Sequence, residues 1–141
     1  MSDRYEWIRK DTAHINAAAD AISALQIGDG VSVSVYTDSD AYTIIGKTAK
    51  TITLRCDHAT LLNKDELKFV VGGFAAHCEN QADQRYEYAP NPDGHVIKIT
   101  LRCWNDAEGN QRRKWKRTGV SVREIGGNAF AGRRKFHDYN F

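Results

Sequence analysis

The hydrophobic period of this chain changes once, at Ile27-Gly28-Asp29-Gly30. Before that point Tyr5, Ile8, Thr12, Ile15, Ala19 and Ile22 recur at spacings of three and four, and Leu25 continues the row. That is the stripe of an amphipathic helix. After it, Val31, Val33 and Val35 alternate with Ser32, Ser34 and Tyr36, the period of a half-buried strand. One helical segment followed by strand-period segments with short turns restricts the chain to a helix joined to an antiparallel sheet.

The spacing predicts a helix over residues 3–26, about 36 Å long at 1.5 Å per residue. Ser2 or Asp3 can cap it, with Glu6 three residues after Asp3 as in a capping box. Ala17-Ala18-Ala19 favours the helix, and Arg4, Lys10, Asp11 and Asp20 take its opposite face. The apolar stripe is narrow and close to a heptad, which suits either a partner helix in a homo-oligomer or the domain's own sheet.

Beyond Gly30 the expected strands are 31–36, 42–47, 51–56, 69–71, 85–88, 95–104, 112–117 and 120–125. Turns are expected at 37–40, 48–50, 90–94 and 105–110, with a longer connection at 57–68 and a loop at 72–84. Asp38 and Asp40 then flank a turn, where such side chains bond nearby backbone N–H groups. The result is a single α+β domain over 1–141: a long N-terminal helix (3–26) followed by an antiparallel, barrel-like β-sheet (31–141). With 141 residues, 41% of them hydrophobic, the chain can bury a core.

Several classes are disfavoured. No apolar run approaches the roughly 18 residues of a membrane span, and Asp3 and Glu6 interrupt any leader-like core. Cys56, Cys78 and Cys103 are odd in number and lack C-x-x-C spacing, which points to free thiols in a reducing compartment, the cytoplasm. Cys56, His58, His77 and Cys78 match no structural zinc spacing, so no metal is expected. No P-loop, G-x-G-x-x-G, G-x-S-x-G or H-E-x-x-H occurs, so neither an enzyme nor a cofactor is expected.

Charge is distributed unevenly. Residues 112–135 hold nine Lys and Arg against a single acid, Glu124, while the remainder is acidic. A basic third on an acidic body implies an anionic partner or a basic subunit interface. Within it, Arg113, Trp115 and Arg117 would share one strand face, either as a stacking platform for a base or as a protected hairpin edge. Residues 132–141, Gly-Arg-Arg-Lys-Phe-His-Asp-Tyr-Asn-Phe, place Arg133 and Arg134 beside Phe136 and Tyr139. Such rings are costly to leave in water, so the segment should dock on the domain. A guanidinium held beside an aromatic face suits a phosphate attached to a flat base. The plainer alternative is a packed terminal strand with solvated arginines.

Three pieces together resemble a known family: Tyr36-Thr37-Asp38-Ser39-Asp40-Ala41-Tyr42-Thr43-Ile44, Arg85-Tyr86-Glu87-Tyr88 with Pro92-Asp93-Gly94, and the segment 132–141. Their order after an N-terminal helix is similar to the first type of Thoeris anti-defence protein, encoded by phages and prophages. The resemblance covers about a third of the chain, and the 72–84 loop is a departure from it. It implies a sponge that sequesters cyclised ADP-ribose isomers without cleaving them. Some members also hold cyclic oligonucleotides at a separate site, and members assemble as homo-oligomers. The resemblance would assign Arg133, Arg134 and Arg102 to phosphates, Phe136, Tyr86 or Trp115 to the base, and Asp38, Thr43 and Asn128 to hydroxyls. Two other functions stay open on the residues alone: a small β-barrel nucleic-acid binder using residues 112–135, and an inhibitor that blocks a host defence enzyme.

Overall fold

The structure is a computed structural model and describes residues 6–72 and 75–140, with side chains from residue 12 onward except 72–76. The fold is α+β. Helix α1 (Glu6–Ser23) is followed by strands β1 (Gly30–Val35), β2 (Asp38–Lys47), β3 (Thr51–Cys56) and β4 (His58–Leu61). Next come β5 (Phe69–Gly72), β6 (Ala75–Cys78), β7 (Tyr86–Ala89), β8 (Val96–Asn105), β9 (Gln111–Arg117) and β10 (Ala129–Ala131). Single 3-10 turns fall at Lys64–Glu66 and Gln81–Asp83.

Six strands form one antiparallel sheet in the order β10-β1-β2-β3-β8-β9. Its two outer strands approach each other. An antiparallel bridge joins Lys116 to Asn128, and the Arg117 N–H donates to Gly127 O at 2.7 Å. The sheet is therefore nearly closed into a barrel, which removes most of its open edge. The alternating residues Val31, Val33, Ile44, Ile52, Leu54, Ile97 and Ile99 fill the inside.

Helix α1 packs on β9 and β10, beside the seam. Ala19 and Ile22 enter the same core as Trp115, and Thr12 is also buried. From Thr12 onward the apolar stripe is thus spent on the chain's own sheet. Polar clamps fix the docking: Asn16 bonds the β9 backbone at Gln111 O and Arg113 N, both at 2.9 Å. The expected cap at Ser2 or Asp3 lies outside the described residues. The helix ends at Ser23 rather than at 26, and Lys47 Nζ donates to Ser23 O and Leu25 O at its end, each at 2.5 Å. A cation there satisfies carbonyls that have no helical partner.

Other boundaries also moved. The β1–β2 hairpin turns on Tyr36-Thr37 alone, with Tyr36 at φ 53°, so Asp38, Ser39 and Asp40 belong to β2. The 57–68 connection contains β4, which pairs with β7, and the 72–84 loop contains β6, which pairs with β5. Residues 120–125 form turns instead of a strand. Gly119, Gly126 and Gly127 adopt positive φ around them, and the buried Lys116 amine holds the segment by its carbonyls.

Candidate functional site

Residues 132–140 are docked along their length, largely by side chains of the barrel and its two small hairpins. Ser32 Oγ accepts from the Arg134 N–H at 2.6 Å and donates to Gly132 O at 2.8 Å. Ser39 exchanges two backbone bonds with Phe136, and its hydroxyl donates to Arg134 O at 2.7 Å. Further along, Gln84 bonds both backbone groups of His137, Gln81 accepts from the Tyr139 N–H, and Asn140 bonds both backbone groups of Cys78. Asp38 accepts from the Asp138 N–H at 2.6 Å, and Asp40 pairs with Lys135 Nζ at 2.7 Å. The two acids stand two residues apart on one strand face and both hold the tail.

This docking leaves a cleft of about 620 Å³ between the tail, the β1–β10 edge and β7. Tyr86 and Tyr88 form one wall, with ring centroids 6.5 Å apart, and Phe130 and Phe136 also line it. The Tyr86 hydroxyl donates to Gln84 Oε1 at 2.5 Å. Burial, reinforced by the neighbouring Tyr139 and Tyr88 phenols and Asp38, pushes its pKa up to about 12. The Tyr88 hydroxyl accepts from the Lys135 N–H at 2.8 Å. Arg134 lines the same cleft, and its guanidinium makes no hydrogen bond or ion pair among the described residues.

Arg133, its neighbour, turns the other way. Its Nε donates to Asp57 Oδ2 at 2.8 Å and its Nη2 to Thr43 Oγ1 at 3.0 Å and Gly28 O at 3.1 Å. Thr43 in turn donates to the other Asp57 oxygen at 2.5 Å. The Asp57 side chain is only 3% exposed, so this is a buried carboxylate with its charge matched. Gly30 permits it, since a Cβ there would overlap the Arg133 side chain.

Of the nine residues singled out by sequence, the fold brings Tyr86, Arg134 and Phe136 to the cleft. Thr43 and Arg133 form the ion-pair cluster behind it. Asp38 anchors the tail. Asn128 accepts from Lys116 at 2.9 Å at the barrel seam, and Arg102 lies on β8, lining a different cleft. Trp115 is no stacking platform: it is 1% exposed in the core, and its indole N–H donates to Ser23 Oγ at 3.0 Å. Strand alternation grouped Trp115 with Arg113 and Arg117 but could not say that this face turns inward. Ser32, Ser39, Gln84, Tyr88 and Phe130 escaped sequence reasoning. Only the aromatic pair at 86 and 88 carried a local signal; the others meet through long-range pairing.

Among the described residues, no three His, Cys, Asp or Glu side chains gather as a metal set. The chemistry available in the cleft is one unmatched cation, aromatic faces and hydroxyls already bonded to the protein, those of Ser32, Ser39 and Tyr88 to backbone and that of Tyr86 to Gln84. No family model, curated protein or solved structure matches this chain significantly.

Proposed function

We propose that this chain is a non-catalytic binding protein that captures a compact, anionic, nucleotide-type ligand in the tail cleft. A cyclised ADP-ribose isomer is the ligand class that fits both the cleft and the sequence resemblance, which makes the chain a phage counter-defence sponge acting in the host cytoplasm. The carrying observation is Arg134, an unmatched guanidinium on a cleft walled by Tyr86, Tyr88, Phe130 and Phe136. It supplies a fork for a pyrophosphate, and the rings supply a face for the base. The wall hydroxyls are engaged with the protein, which favours holding a ligand over acid–base chemistry on it. The homo-oligomeric state of the resembled family is part of the same proposal.

Calorimetry with a cyclised ADP-ribose isomer tests it. Arg134→Ala should weaken binding by about 1.5–3 kcal/mol, the scale of hydrogen bonds to charged groups, with the melting temperature nearly unchanged. Arg133→Ala should instead lower the melting temperature, because it strands the buried Asp57 carboxylate. Mass spectrometry of ligand released by denaturation should return it intact. Absence of binding by the parent protein, or recovery of a cleaved product, overturns the reading.

A further inference from the structure

The outer face of β8 and β9 carries cations that the tail cleft does not use. The two strands pair so that Arg102 stands opposite Lys114 and Trp104 opposite Arg112. Directly opposed residues share a face with Cβ atoms about 4.5–5.5 Å apart, where like charges repel. The neighbouring cations are matched: Arg112 with Asp106 at 2.8 Å and Arg113 with Asp20 at 2.6 Å. Arg102 and Lys114 make no hydrogen bond or ion pair among the described residues. Arg102 Nε is buried without any acceptor. Burial pulls the Lys114 pKa below its ordinary value. Beside this pair a cleft of about 420 Å³ opens, lined by Arg102, Cys103 and Trp104 of β8 and by the 119–124 turns, with Lys114 next to it rather than on its wall. Glu124 is the acid on its wall; that residue is exposed, and its backbone oxygen holds Lys116 at 2.7 Å.

A half-buried pair of like charges, one with a dry N–H, is a costly arrangement for a fold to keep without a counter-charge. We propose that this cleft is a second anion site, taking a phosphate-sized dianion on Arg102, with the unmatched Lys114 charge beside it on β9. The anion would draw the Arg102 guanidinium into the cleft and give its Nε–H the acceptor it lacks. A free phosphate and a phosphate carried on an organic group share this chemistry, and Trp104 offers a ring face only to the second. The site shares no residue with the tail cleft and does not depend on it.

The test is a titration of the full chain with inorganic phosphate at constant ionic strength, following arginine Nε–H resonances by NMR. One resonance, identified by its loss in Arg102→Lys, should shift saturably. Lys114→Gln should weaken the affinity read from that resonance by about tenfold, the effect of removing one member of a charge pair. Arg134→Ala should titrate like the parent, which separates this site from the tail cleft. Tighter binding of phenyl phosphate than of inorganic phosphate would support the site and identify a carried phosphate as its ligand; equal binding would support it as a reader of the anion alone. A parent resonance that does not shift, or shifts without saturating, overturns the proposal even if the variants fail to fold. So does an unchanged affinity in a folded Lys114→Gln.

Discussion

Lys116 is 1% exposed, and its three hydrogen-bond partners are neutral: Glu124 O, Gly126 O and Asn128 Oδ1, at 2.7, 2.6 and 2.9 Å. Burial, with the nearby Lys114 charge, lowers its pKa, partly offset by Glu124. The residue is a staple between β9 and the segment leading into β10. Lys116→Met keeps the apolar stem but orphans three acceptors. It should destabilise the protein by about 2–4 kcal/mol, given roughly 1–3 kcal/mol for each dry unsatisfied group and partial relaxation toward water. Urea unfolding measures this, and a loss below about 0.5 kcal/mol, the size of an ordinary surface change, would show that the staple holds nothing. Two tyrosines predict the alkaline limit. Burial raises Tyr42, which meets His95 Nε2 at 3.0 Å, to about 12, and Tyr86 is raised to about 12 as well. Both folded values exceed the ordinary tyrosine value of about 10. Their contribution is therefore fully present below pH 10 and is lost as pH rises through 12. Melting temperature should fall across that window, and Tyr42→Phe should flatten the fall; an unchanged slope in that variant would exclude the linkage.

At the scale of elements, the tail is a strap whose backbone is satisfied by side chains. Gln84 is its central buckle, accepting from Tyr86 Oη and the His137 N–H while donating to His137 O. Gln84→Ala should increase amide exchange at His137 and Tyr139 by about tenfold, corresponding to about 1.4 kcal/mol for one lost buckle, and leave the amides of β3 protected. Equal exchange in parent and variant would mean the strap is held elsewhere. How far these elements were legible follows from their local signals. Strands β1, β3, β8 and β9 alternate clearly and are flanked by strong turns, so their existence was readable. Strands β4 and β6 are four residues each and rich in Ala and His, with no period to find. Strand β10 is the three residues Ala129-Phe130-Ala131, and it forms only because β1 offers an edge. Residues 120–125 alternate as a strand would, yet the positive-φ glycines around them and the Lys116 amine below decide for turns. In the site, adjacent cations and rings announced the tail, and strand geometry requires neighbouring residues to face apart. That Arg133 is the one turned toward Asp57 was not legible, because Asp57 is 76 residues distant in sequence.

For the whole molecule, the basic third separates the function classes. Nine cations in residues 112–135 suggest a polyanion surface, but the fold spends most of them internally. Arg112, Arg113, Arg133 and Lys135 are in ion pairs, and Lys116 is buried under carbonyl oxygens. That leaves Lys114, Arg117, Arg123 and Arg134 without an ion pair among the described residues. Lys114 and Arg117 stand on opposite faces of β9, Arg123 in the turns after it and Arg134 in the tail, rather than along one stripe. A duplex binder loses affinity steeply with salt because each neutralised phosphate releases counterions, with a slope of about −0.9 per contact. Four scattered cations cannot all track one backbone, so the slope for a short DNA duplex should be shallower than about −4, and retention at physiological salt should be negligible. Capture of a compact anion in the tail cleft should respond far less to salt, because it rests on one guanidinium and on ring faces. The deciding measurement is parallel fluorescence anisotropy with a labelled duplex and calorimetry with a cyclised ADP-ribose isomer, each across a salt series. A duplex slope steeper than about −4 with tight binding at low salt would return the chain to the nucleic-acid class, since it would call on cations beyond these four.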